Sequence, residues 1–82
     1  MLPAMHREEI QNLLSDFGFA EALNRTLKGI NTTHMIHRSE GLRKIVEYYI
    51  DPVGIVKSIW GFSGETLSVI ESSSDFEIWL KK

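Results

Sequence analysis

Two histidines in His34-Met35-Ile36-His37 are the one pair in this chain spaced like metal ligands. On a helix, that spacing would put both imidazoles on one face. On a strand, the reading adopted below for this segment, the two rings point to opposite sides. A zinc site needs three or four convergent ligands, and no third ligand is evident. The expected metal and cofactor content is therefore none, and a small hydrolase or metal protein built on His34 and His37 ranks third among the readings.

Ser72-Ser73-Ser74 is the other stretch that invites a catalytic reading. It lacks the Gly-x-Ser-x-Gly turn that presents a nucleophile, and no acid and histidine follow in a distinctive order. The chain also has no glycine-rich dinucleotide fingerprint and no Gly-Lys-Ser/Thr phosphate loop. These serines read more simply as loop and helix-cap residues, so the sequence points away from an enzyme.

Charge suggests a different chemistry. The net charge is −2, yet residues 25–44 carry Arg25, Lys28, Arg38, Arg43 and Lys44 against the single acid Glu40. Acidic segments lie on either side. Five cations near Tyr48, Tyr49 and Trp60 could meet phosphates and stack bases, which makes nucleic-acid binding the alternative reading. Its second form is a nucleic-acid mimic that uses the acidic surfaces.

The elements that must position these residues follow from periodicity. A chain of 82 residues with 43% hydrophobic and 24% charged residues is expected to fold as one small α+β domain over 1–82. Residues 1–4 are expected to be a loose end. Cys is absent, which suits a reducing, cytoplasmic setting. No apolar run approaches the roughly 18 residues of a membrane span.

Ile10, Leu13, Leu14 and Phe17 recur at helical spacing, and Phe19, Leu23, Leu27 and Ile30 form a second stripe that points elsewhere. The sequence therefore predicts an N-terminal helix, or a helix pair kinked at Gly18, over about 5–28. Beyond Asn31, β-branched and aromatic residues alternate with turn signals. They predict a four-stranded antiparallel meander over about 32–71, with strands near 32–38, 42–51, 55–62 and 65–71. The reversals fall at Ser39-Glu40-Gly41, Pro52-Val53-Gly54 and Ser63-Gly64. Ser74-Asp75-Phe76-Glu77 reads as a capping box opening a short helix over about 74–81.

Regular pairing from those turns sets Ile50 opposite Val56, Tyr48 opposite Ser58, Val46 opposite Trp60 and Trp60 opposite Leu67. Val46, Tyr48, Ile50, Val56, Trp60, Phe62, Leu67 and Val69 then form the expected core face. The opposite face carries Ile45, Tyr49, Ile55, Ile59 and Ile70 among Arg43, Glu47, Lys57 and Ser68. A face that only meets water should be mainly polar. Ile45, Tyr49, Ile59 and Ile70 are thus the candidate partner-binding residues. The favoured function is a noncatalytic protein-interaction or regulatory module, with a homodimer through this face or a strand edge as one form of it. The C-terminal segment folding over Ile59 and Ile70 is the competing explanation of the same pattern.

Overall fold

The computed structural model describes residues 5–82, so the expectation for residues 1–4 lies outside the described residues. Helix α1 (Arg7–Asp16) precedes strands β1 (Ala20–Leu27), β2 (Thr32–Ser39), β3 (Lys44–Ile50), β4 (Val56–Ser63) and β5 (Thr66–Ile70). Helix α2 (Ser73–Lys81) closes the chain. The strands form one antiparallel sheet in sequence order, β1-β2-β3-β4-β5. The α+β class stands, with five strands in place of four.

The extra strand replaces the expected second helix. Gly18, at φ 81°, ends α1. The Gly18 N–H donates to Ser15 O at 3.0 Å and the Phe19 N–H to Leu14 O at 2.8 Å. These paired bonds are a Schellman stop, sealed by Phe19 and Leu14 in the core. The chain therefore leaves the helix axis, and residues 20–27 pair with β2. Helix-favouring residues such as Ala20, Glu21, Ala22 and Leu23 lose to tertiary pairing here. Gly29, expected to cap a helix, instead takes φ 93° in the β1–β2 reversal.

The Asp51–Gly54 turn forms as expected. Asp51 Oδ1 accepts from the Val53 and Ile55 N–H groups at 3.0 and 2.9 Å. Those bonds, Ile55 first, hold the Asp51 carboxyl below its ordinary range. Ile50 pairs with Val56, but Tyr49 pairs with Ser58, leaving Lys57 as an extra residue in a β-bulge. This one insertion turns β4 over relative to β3. The β4–β5 hairpin closes over Gly64-Glu65 instead of Ser63-Gly64, setting Ser63 opposite Thr66 and Phe62 opposite Leu67. That change of two positions preserves parity, so β5 turns over together with β4. The β2–β3 loop is also longer than expected, with Arg43 in the left-handed conformation at φ 56° instead of Gly41.

The corrected core face keeps Val46, Tyr48 and Ile50 but takes Ile59 and Ile70 in place of Trp60, Phe62, Leu67 and Val69. One row crosses four strands as Met35, Tyr48, Ile59 and Ile70. Ile10 and Leu14 of α1 and Phe76, Trp79 and Leu80 of α2 join the same buried cluster, so both helices cover one side of the sheet. Ser72, two residues before the expected cap, accepts from the Asp75 N–H at 3.0 Å and opens α2. The Trp79 ring lies against Gly61, where a Cβ would collide with it.

Buried polar side chains on this side include Lys44 and the His37–Tyr48 pair. Lys44 Nζ donates to the carbonyls of Trp79 and Leu80 at 2.7 and 3.2 Å, satisfying the end of α2. Burial, with Lys82 nearby, holds its pKa below the ordinary value. His37 Nε2 and Tyr48 Oη share a hydrogen bond at 2.8 Å. Burial raises the Tyr48 pKa to about 12, against the neighbouring Gln11, and lowers that of His37, against Glu21. A neutral imidazole and a protonated phenol result.

Candidate functional site

The other side of the sheet carries no element among the described residues. The register sets three rows of side chains across the body of this face, beyond the Leu27–Thr32 pair at the end of β1 and β2. One row runs Ala20, Arg38, Ile45, Phe62 and Leu67; the next runs Leu23, Ile36, Glu47, Trp60 and Val69; the third runs Arg25, His34, Tyr49 and Ser58. Ile45 is 37% exposed, Leu67 56% and Val69 67%. Leu23, Ile36, Trp60 and Phe62 are half-buried.

A hydrogen-bonded aromatic cluster stiffens the centre. Glu47 Oε1 accepts from His34 Nε2 at 2.5 Å, and Glu47 Oε2 accepts from Trp60 Nε1 at 3.0 Å. The Tyr49 ring stacks on His34 with centroids 4.5 Å apart and leans on Trp60 at 5.6 Å. Both carboxylate oxygens of Glu47 are thus engaged, which fixes the rotamers of two aromatic groups on a regular scaffold. Rigid aromatic side chains beside exposed aliphatic ones lose little conformational freedom when a partner covers them.

The sequence-based candidates divide accordingly. Ile45 and Tyr49 lie on the open face. Ile59 and Ile70, at 1% and 4% exposure, lie beneath the helices and cannot meet a partner; the Lys57 bulge is the cause. Trp60, Phe62, Leu67 and Val69 take their places on the open side. Alternation did group these four correctly with one another. The bulge uses no left-handed glycine and so leaves no mark in composition. The C-terminal segment does pack with Ile59 and Ile70, but on the core side.

Among the basic candidates, Arg25 and Arg38 are exposed on the open face, while Lys28 and Arg43 sit in the loops at opposite ends of β2. Lys44 is withdrawn from any phosphate: it is 4% exposed, and its ammonium is bound to the end of α2. His34 and His37 point to opposite faces, and among the described residues no three His, Cys, Asp or Glu side chains are grouped to hold a metal. Among those residues, no helix is long and apolar enough to cross a membrane. Comparison of the chain with protein-family models, curated protein sequences and solved structures yields no match.

Proposed function

We propose that this chain is a noncatalytic protein-interaction or regulatory module whose open sheet face receives another protein or a second copy of itself. The supporting observation is the exposure of Leu67 and Val69 beside the locked Tyr49–Trp60 pair. Exposed aliphatic side chains beside ordered aromatic anchors are a common feature of recognition surfaces. The cysteine-free composition favours action in a reducing compartment such as the cytoplasm. The test is a photo-crosslinking side chain placed at Leu67 in cells, with the same group at Asn12, on the exposed side of α1, as control. Discrete adducts from position 67 and few from position 12 are expected; equal yields from both would refute the reading.

Nucleic-acid binding is the second reading, favoured by one observation: Arg25 and Arg38 share the open face with Tyr49 and Trp60. Stacking beside cations is the general mode for single strands. It requires salt-sensitive binding of single-stranded DNA or RNA that weakens in the Arg25→Glu/Arg38→Glu variant.

A further inference from the structure

The cations and the most exposed apolar groups of the open face stand on different strands. Arg25 and Arg38 stand on β1 and β2, whereas Phe62, Leu67 and Val69 stand on β4 and β5. Glu47, the one acid in the three rows, is already bound through both oxygens. Arg25 pairs with no acid among the described residues, and Arg38 has only an exposed contact to Glu40 at 3.7 Å. With Arg25, Arg38 and Glu47 counted, the three rows carry a net +1, opposite in sign to the chain's overall charge of −2.

From this charge complementarity, and on the basis of the interaction reading above, we infer that the occupant is an acidic polypeptide segment bearing large apolar side chains. Its carboxylates lie toward Arg25 and Arg38, and its apolar groups lie on Phe62, Leu67 and Val69. Complementary charge selects among partners and sets the orientation, while the apolar half provides the affinity.

Two synthetic amphipathic peptides test the inference, one with leucine opposite glutamate and one with leucine opposite lysine. Each is titrated into the full chain by fluorescence anisotropy. The Leu/Glu peptide is expected to bind about tenfold more tightly than the Leu/Lys peptide, with the gap shrinking at raised salt. Arg25→Glu/Arg38→Glu should reverse that order, and Leu67→Asp should weaken both peptides; circular dichroism verifies that these exposed substitutions leave the fold intact. Equal binding of the two peptides, or binding of neither, overturns the inference. So does tighter binding of an oligonucleotide at Arg25 and Arg38, or self-association that depends on Leu67 without peptide binding. If crosslinks from position 67 persist while the peptides fail, the interaction reading stands and the acidic partner falls; if both fail, both fall.

Discussion

Lys44 lies under Trp79, its ammonium 4.9 Å from the indole centroid and 2.7 Å from the Trp79 carbonyl oxygen. A cation at a helix C-terminus, buried and bonded, ties α2 to β3. Lys44→Ala should destabilise the fold by about 2 kcal/mol, as a lost charge-assisted bond and its packing require. Lys44→Met, which keeps the aliphatic stem, should cost less. Urea unfolding of both variants checks the order, and equal losses would assign the effect to the bonds of the ammonium alone, with nothing from the packing of its stem.

The Lys57 bulge makes a sharp forecast about parity. Ile59→Ala should cost about 2–5 kcal/mol, the range for truncating a buried aliphatic side chain. Val69→Ala should stay within about 0.5 kcal/mol, as at exposed sites. Regular pairing demands the reverse ranking, so two thermal melts decide between the registers.

Gly61 faces the Trp79 ring with no room for a methyl group. Gly61→Ala is expected to cost about 1–3 kcal/mol through overpacking and to change the tryptophan emission. Gly41, which has open space around its α-carbon and no left-handed φ, should accept Ala with little effect.

His37 gives the fold a pH dependence just below neutrality. Burial puts its folded-state pKa below the ordinary 6.5, so below that value the unfolded chain binds more protons than the folded one. Stability should therefore be fully present above pH 6.5 and fall as the pH drops through the folded value. Replacing His37 with Asn should flatten the denaturant midpoint between about pH 7 and pH 5. An unchanged slope would assign the acid sensitivity to other groups.

Glu47 organises the open face. Glu47→Ala should leave His34 and the Trp60 indole N–H without partners, costing about 1–3 kcal/mol. The Tyr49 and Trp60 rings should also gain mobility, visible as broadened aromatic NMR signals. A variant as stable as wild type with sharp, unshifted signals would show that the bonds to Glu47 do not order the face.

Local chemistry made much of this molecule legible. The spacing of Ile10, Leu13, Leu14 and Phe17 marked α1, and Asp51-Pro52-Val53-Gly54 encoded its turn through proline's fixed φ and glycine's freedom. Alternation grouped Trp60, Phe62, Leu67 and Val69 on one side, and the amphipathic end of the chain marked α2. What the residues could not reveal was decided by contacts distant in sequence. Ala20–Leu27 has good helix formers and becomes a strand because β2 offers a pairing edge. Lys57 carries no signature of a bulge, yet its insertion exchanges Ile59 and Ile70 for Trp60, Phe62, Leu67 and Val69 on the open face. Lys44 looks like a surface cation until the end of α2 arrives above it. Short-range preferences are set by each residue's own sterics, whereas the parity of a strand and the fate of a charge depend on what the completed sheet and helices place beside them.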